Sequence, residues 1–561
     1  MKKILQYSCL SLCLLALGLA LGAVAHAQTP APAAAAPAAA APAPPLAPAD
    51  AQLKDAAGKA PATADLAKGD PGGTITGTIN DVPAADSKAG VTLPDVANQV
   101  GQNKIAVNFV WTLVTGFLVM FMQAGFAMVE SGLTRVKNSN HTYMMNFFVY
   151  TCGLFSYWIL GFAIQMGGSA GNSNLGGLNS LTGEHSLTLF GKTWGLFGAA
   201  GYFLGGHTYD VGVMVIFLFE MVFMDTALTI VTGACAERWK FLAFTVSSIV
   251  MGAITYPLYG NWAWGGGWLS QLGTNTGLGK GYCDFAGSGV VHAVGGITAL
   301  AVCLIIGPRI GKYNRDGSSN PILGHDVSAC LIGCFILAFG WFGFNPGSTL
   351  GASANGNLRI GTIAVNTMLA GCTGTMGAIL YMWSLKGKPD YSMSGNGLLA
   401  GLVAITAPSG FVSTFGAAVI GFIAGVLVCL SCAFFENTLK VDDPVGAISV
   451  HGTNGLWGVI SIGLFADGTS NYGGSWNGVT GSVTGLFYGG DASQLVAQLV
   501  GVSTLIGVVF SLSLVINLAI EYFIGQRVSA ETELAGLDIP EMGQLGYPDF
   551  VYRPEPVMSA A

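Results

Sequence analysis

Two stretches of this chain carry one pattern, D-x-x-G-x-x-x-V-H-x-x-x-G. The first runs from Asp284 through Gly287, Val291 and His292 to Gly296, the second from Asp443 through Gly446, Val450 and His451 to Gly455. They lie 159 residues apart, and each opens a long apolar run. This spacing predicts two related halves. An ionisable side chain inside a membrane span is costly and marks function by default. Of the seven histidines, only His292 and His451 fall inside long apolar runs.

Those runs set the fold class. Of 561 residues, 52% are hydrophobic and 9% charged, against about 25% charged in soluble domains. A span takes about 20 mostly apolar residues. Eleven segments qualify: 105–130, 143–167, 211–236, 241–258, 287–307, 327–346, 360–384, 395–408, 413–436, 445–466 and 493–524. The chain reads as an all-α polytopic membrane protein of eleven transmembrane helices, two inverted five-helix repeats plus one extra helix. Its 82 glycines suit close helix packing. Long loops at 168–210 and 467–492 are polar but nearly uncharged. The net charge of −7, spread over a mostly buried chain, offers nothing to nucleic acid.

Residues 1–27 have the form of a cleaved signal peptide: Lys2 and Lys3, an apolar run from Ile4 to Val24, and the small-x-small site Ala25-His26-Ala27. Residues 28–103 are Ala/Pro-rich and then polar, too poor in large apolar residues for a core, and read as a disordered periplasmic arm. The membrane domain would span 104–527 and a cytoplasmic tail 528–561. Of the eleven cysteines, Cys9 and Cys13 leave with the signal peptide, eight fall in spans and Cys283 lies near an outer helix end, so no disulfide framework is expected.

Lysine and arginine orient the chain. With the mature N-terminus outside, the inner loops hold Arg135, Lys137, Arg238, Lys240, Arg309, Lys312, Arg315, Lys386, Lys388, Lys440, Arg527 and Arg553. Beyond the N-terminal arm, the outer loops hold Lys192, Lys280 and Arg359. Asp284 then opens an inward-running span and Asp443 an outward-running one. Asp is a favoured N-cap, and Pro444 suits a first helical position. Eight residues of helix put each histidine about 12 Å from its cap, near the midplane of a core about 30 Å thick, approached from opposite sides. That is the pattern of an inverted repeat with its site at the repeat interface.

A lone histidine would read as a satisfied core residue. A metal site recruits three or four ligands, and no further intramembrane histidine and no HExxH is present, so neither a metal nor a cofactor is expected. Two histidines at matched depth favour a proton-handling pair lining a conduction path, since neutral imidazole can both donate and accept. Aromatic residues near the outer side suit a cation route: Trp264 just beyond the fourth span, Phe219 and Phe223 four apart on the third, and Phe344 and Ser348 four apart on the sixth. Taken singly, each of these aromatics also fits an interface belt or plain packing. No nucleophile–base constellation or cofactor loop points to an enzyme.

Several motifs, in order, resemble the Amt/Mep/Rh ammonium transporter family, in particular its bacterial Amt branch. They are Gly125-Phe-Ala-Met-Val-Glu-Ser-Gly132 with Arg135-Val-Lys-Asn138; Phe223-Met-Asp-Thr226 with Gly233-Ala-Cys-Ala-Glu-Arg238; Trp264-Gly-Gly-Gly267; Asp284-Phe-Ala-Gly287; Val291-His292; Gly340-Trp-Phe-Gly-Phe-Asn345; Val365-Asn-Thr367; Val441-Asp-Asp-Pro444; and Val450-His-Gly452. The resemblance covers about residues 105–547. It implies a homotrimer in the bacterial inner membrane, each protomer with its own pore for ammonium or methylammonium. By matched motif it implies outer recruitment by Phe219, Phe223, Trp264 and Ser348, a gate of Phe223 over Phe344, and His292 and His451 as the pore pair. Asp284 would support the outer site without touching substrate, with Asp443 as its counterpart.

The chain also departs from the family pattern. Glu220 follows Phe219 where the family often has Gln. It is either a packed, hydrogen-bonded helix residue or an ionised group that enriches cations at the outer mouth. The tail, with Arg527, Val528, Glu533, Gly536, Asp538, Glu541, Gly543 and Tyr547, resembles one that couples neighbouring protomers and the PII signalling protein. Met542 stands where a His is common, and Gln544-Leu545 is atypical. Two rival readings remain: an ammonium sensor, for which the roughly 35 residues after the last span leave room only for signalling through PII, and an Rh-like gas channel, which the Trp264 and Ser348 motifs disfavour.

Overall fold

The computed structural model describes residues 90–548 except 173, 176–179, 354–358 and 469–481. The expected signal peptide, most of the expected arm and the end of the tail lie outside the described residues. Eleven long helices follow in order: α1 Leu93–Leu133, α2 Val136–Met166, α3 Val211–Cys235, α4 Phe241–Ala263, α5 Ser288–Ile306, α6 Val327–Gly347, α7 Ile360–Lys386, α8 Tyr391–Thr406, α9 Thr414–Thr438, α10 Ile448–Thr453 continuing as Asn454–Phe465, and α11 Ser493–Phe523. Nine of the described helices, all but α8 and α10, are long and apolar enough to cross a membrane. The 16-residue α8 is too short for that class, and His451, Thr453 and Asn454 make α10 less apolar.

Side chains start several of these helices. The Asp210 carboxylate accepts hydrogen bonds from the Gly212 and Val213 amides at the head of α3, Asp326 accepts from Ala329 at α6, Asp390 from Ser392 and Met393 at α8, and the Ser413 hydroxyl from Gly416 at α9. Each satisfies amides that have no partner inside the helix. Thr92 and Asp95 do the same for α1, with Asp95 Oδ2 accepting from the Thr92 amide and hydroxyl, each at 2.8 Å. Residues 93–103, read from sequence as the end of the arm, are therefore the first turns of α1. Polar composition hid a helix that its cap makes legible.

The packing repeats with a shift of five helices. α1 packs on α3 as α6 does on α8, α2 on α4 as α7 on α9, and α3 on α5 as α8 on α10. α1 and α6 pair extensively, and α11 lies along α4 and α5. At the centre α5 crosses α10 with almost no gap: a Cβ on Gly296 would sit 2.2 Å from the Gly452 amide nitrogen, and one on Gly455 2.5 Å from the Ser288 carbonyl oxygen. Only glycine allows this approach.

The repeated aspartates differ from expectation. The sequence predicts both as N-caps, with Pro444 at the first helical position. Instead α5 begins at Ser288 and α10 at Ile448, after Gly287 (φ 109°) and Gly446 (φ 81°) in the left-handed region. The chain curls around each carboxylate: Asp284 accepts from the amides of Gly287, Gly289 and Val290, and Asp443 from Val445, Gly446 and Ile448. Eight residues of continuous helix between aspartate and histidine therefore do not exist. Each histidine instead lies in the single wide π-turn that opens its helix, Ser288–Ala293 or Ile448–Thr453, a distortion common at functional sites. The loop at 168–210 also contains a hairpin that sequence reading missed, β1 Glu184–Leu189 paired with β2 Lys192–Gly198.

Candidate functional site

Ring contacts run through the middle of the helix packing. On α3, Phe219 and Phe223 share a face, with centroids 4.6 Å apart. Trp264, just beyond α4, meets Phe223 edge-on at 6.3 Å, and its indole nitrogen donates to the Asp284 carbonyl oxygen at 2.8 Å. The loop that curls around the Asp284 carboxylate thus also fixes the Trp264 ring, and that carboxylate is spent on backbone amides. Phe223 lies over Phe344 of α6 at 4.0 Å and 31°. All four rings are at most 5% exposed. The Ser348 hydroxyl donates back to the Phe344 carbonyl at 2.8 Å, one residue beyond Gly347, which abuts the Phe219 ring.

Below Phe344 the aromatics give way to imidazoles. His292 stacks within 5.3 Å of Phe344 and of Trp341, and its ring lies 5.2 Å from that of His451. The two histidines meet Nδ1 to Nδ1 at 3.1 Å. One of these nitrogens must carry the hydrogen and the other accept it. The outer nitrogens therefore differ: one imidazole keeps a bare Nε2 and the other an Nε2–H. His292 Nε2 is buried with no partner among the described residues. Trp341 holds its place by donating to the Thr406 hydroxyl at 2.9 Å.

Beyond His451 lies a chamber of about 20 Å³, walled by Phe126, Val129, Glu130, Ile230, Val450 and His451. That is room for one water-sized molecule. Asn396 and Val445 line both this chamber and a cavity of about 170 Å³ whose wall includes Arg309, Lys312, Glu436 and Asp442. The ring column, the histidine pair, the chamber and the cavity form one sequence of contacts through the protein.

The structure brings together the residues singled out in the sequence, Phe219, Phe223, Trp264 and Phe344 at one end and His292 and His451 below them. Asp284 and Asp443 bind amides beside the rings and the histidines. Glu220 is fully buried and turned toward α2, accepting from Gln165 Nε2 at 2.6 Å, so it takes the packed, hydrogen-bonded alternative.

Polar contacts of the flanking loops add three features whose pairing the sequence does not reveal.

 The first is a brace between the loops that follow α1, α3, α5 and α9. Glu237 accepts from the Arg135 amide at 2.7 Å and pairs with its guanidinium, while Arg309 lies 3.3 Å from Glu237 and grips both Asp442 oxygens at 2.8 and 2.9 Å. Burial pushes the Asp442 carboxyl up, but the Arg309 hydrogen bonds and the charges of Arg238 and Arg309 outweigh it and hold the group well below the usual carboxylate range. The second is anchoring of the tail. Glu533 accepts from the Ile310 amide, Asp538 from the His141 amide and Glu541 from the Phe241 amide, so the tail ties the starts of α2 and α4 to the loop after α5. The third is seating of the hairpin, where the Asn261 side chain donates to Glu184 at 3.1 Å. Glu130, too, was quoted only as part of a motif, although an acid inside a span is itself a signal.

The family model "Ammonium Transporter Family" matches residues 110–547. This chain belongs to that family. Among similar members, the ammonium transporter Amt2 of Archaeoglobus fulgidus is 44% identical over 465 residues, which is 82% of this chain and 92% of the relative. Amt1 of Haloferax mediterranei is 36% identical over 464 residues, 81% of this chain and 82% of the relative. Among solved structures, one titled "Sensor Amt Protein" superposes with a TM-score of 0.67 at 33% identity, covering 79% of this chain and 99% of that one. Mep2 of Candida albicans, at 24% identity and a TM-score of 0.62, shares the fold. As a member of the family the chain is a multi-pass helical membrane protein, and the ring column and histidine pair lie within the matched region.

Proposed function

We propose that this protein carries ammonium across the bacterial inner membrane. Ammonium is recruited at Phe219, Phe223, Trp264 and Ser348, and loses a proton as it passes the Phe223–Phe344 gate. Ammonia then moves past His292 and His451 to the cytoplasm. The observation that carries this reading is the aromatic column ending on two imidazoles that share one hydrogen. Aromatic faces attract a small desolvated cation. A bare cation at the bilayer centre costs from about 3 to more than 10 kcal/mol. Ammonium escapes that cost by leaving its proton behind, which potassium cannot do.

On this reading all eleven long helices cross the membrane as two inverted five-helix repeats plus α11. The recurrent packing and the paired π-turns support it. The N-terminus lies outside and the C-terminus inside, and three copies assemble as a homotrimer with one pore each. The tail, folded against the inner helix ends, presents a surface for a PII signalling protein. The relatives named as ammonium transporters support transport. A second reading, an ammonium sensor, is favoured by the similarity to the structure titled as a sensor.

The test is the current across a membrane holding the purified protein after an ammonium pulse, with a potassium pulse as control. An ammonium-specific current is expected. No current, together with no ammonia flux into the same vesicles, would leave the sensor reading in place of transport.

A further inference from the structure

We propose that Glu130 is the proton carrier of the inner half of the path. The inference rests on the transport reading above and adds to it a group that takes the proton beyond the histidines. Glu130 is 3% exposed and lines the same small chamber as His451. It takes part in none of the ion pairs among the described residues. An isolated buried charge is costly unless hydrogen bonds and proton exchange relieve it.

The hydrogen bonds around Glu130 suit both of its protonation states. Asn146 Nδ2 donates to Oε2 at 2.6 Å, and the second Asn146 hydrogen serves the Thr142 carbonyl at 3.1 Å. Asn146 Oδ1 accepts from the Thr229 hydroxyl at 2.9 Å, and Gln123 donates to Thr229 and to the Asn146 carbonyl. These partners fix the orientation of the Asn146 amide, so it always offers Glu130 a donor. Thr232 is different. Its hydroxyl oxygen lies 2.6 Å from the Thr229 carbonyl, 2.8 Å from Glu130 Oε2 and 3.0 Å from Oε1. One hydroxyl has one hydrogen. Turned to Glu130, it is accepted by a carboxylate. Turned to the Thr229 carbonyl, it leaves a lone pair that only a protonated Glu130 Oε1 can fill. A rotation of one hydroxyl therefore satisfies either state without moving a helix.

The proton balance is simple. Ammonium leaves its proton on the histidine pair and becomes ammonia. The proton passes from His451, by way of the one water-sized molecule for which the chamber has room, to Glu130 Oε1. Glu130 releases it toward the larger cavity, where it rejoins ammonia or water. One ammonium enters and one ammonia plus one proton leave. Glu220 and Asp225, the carboxylates of α3, do not line the chamber.

The experiment compares wild-type protein with Glu130→Gln and Thr232→Val in reconstituted vesicles, reading ammonium-evoked current and, separately, lumen alkalinisation when raised external pH supplies ammonia itself, which has no proton to shed in the pore. Both variants are expected to lose at least about tenfold of the current, as removal of a proton-transfer group does, while ammonia entry stays within about twofold. Glu130→Asp is expected to recover part of the current. Full current in Glu130→Gln would overturn the inference and leave the transport reading intact. Loss of current and ammonia entry together in a folded Glu130→Gln protein would also overturn it, making Glu130 a structural tie. If Glu130→Gln does not fold, the current in Thr232→Val decides. A wild-type protein that admits ammonia without current would overturn both this inference and the proton passage it rests on.

Discussion

His292 and His451 face each other Nδ1 to Nδ1 at 3.1 Å, a contact that holds a single hydrogen. Each ring is also held from the side, His292 by Trp341 and Phe344 and His451 by Phe126. Proton sharing therefore needs no ring rotation. Replacing both histidines with alanine is expected to lower methylammonium uptake by about 10²-fold, the lower end of what proton-transfer groups contribute, or to let potassium compete. Uptake assayed with and without excess potassium checks this, and normal, selective uptake by the double variant would sink the assigned role.

Arg309 and Asp442 predict a second effect, on stability. Both are nearly fully buried, and Asp442 carries two guanidinium bonds and an amide bond from Arg309. Removing one partner of a buried pair costs about 3–5 kcal/mol. Because the folded carboxyl lies below its unfolded value, the unfolded chain binds the extra proton as pH falls. The contribution is thus present above about pH 4 and is lost below it. Thermal unfolding in detergent should show Asp442→Asn well below wild type at pH 7 and the gap narrowing toward pH 3. Parallel curves would count against the pair.

The sequence was most legible where apolar length and the doubled motif spoke together. The long helices and the doubled histidine motif announced themselves by length and spacing, and the ring residues stood out through the resemblance of their motifs. What it hid were features that depend on the chain folding back on itself. Asp284 and Asp443 looked like helix caps, but each binds the amide of a left-handed glycine and an amide beyond it, which delays the helix. The first turns of α1 are polar, so composition reads them as arm, and only the Thr92–Asp95 bonds mark a helix start. Glu237, Arg309 and Asp442 lie in three different loops and become one brace only in space.

Glu184 offers a test at the hairpin. Burial pushes its carboxyl up to about 7, with the Asn261 hydrogen bond pulling the other way. A raised carboxyl favours the fold while protonated, fully below its unfolded value near 4.5, and that contribution is lost as pH rises through about 7. Amide exchange in β1 and β2 should therefore quicken in wild type between pH 6 and pH 8, beyond the intrinsic rise, around the folded value near 7. Glu184→Gln should remove that extra step. An equal step in both proteins would place the titrating group elsewhere.

The crossing of α5 and α10 gives an asymmetric prediction. A Cβ on Gly296 would stand 2.2 Å from the Gly452 nitrogen and 3.0 Å from the His451 carbonyl carbon, all backbone that cannot turn aside. A Cβ on Gly452, across the same crossing, would find its nearest neighbour at 3.4 Å, an ordinary contact. Gly296→Ala must therefore push the helices apart and separate the imidazoles, at about 1–3 kcal/mol of overpacking, while Gly452→Ala should fold and transport nearly as wild type. Gly361→Ala, with open space around the added methyl, is the control and gains helix propensity of about 1 kcal/mol. Melting temperature and uptake, measured on all three, should fall sharply for Gly296→Ala alone. Equal losses in Gly296→Ala and Gly452→Ala would mean that the crossing is looser than these distances require.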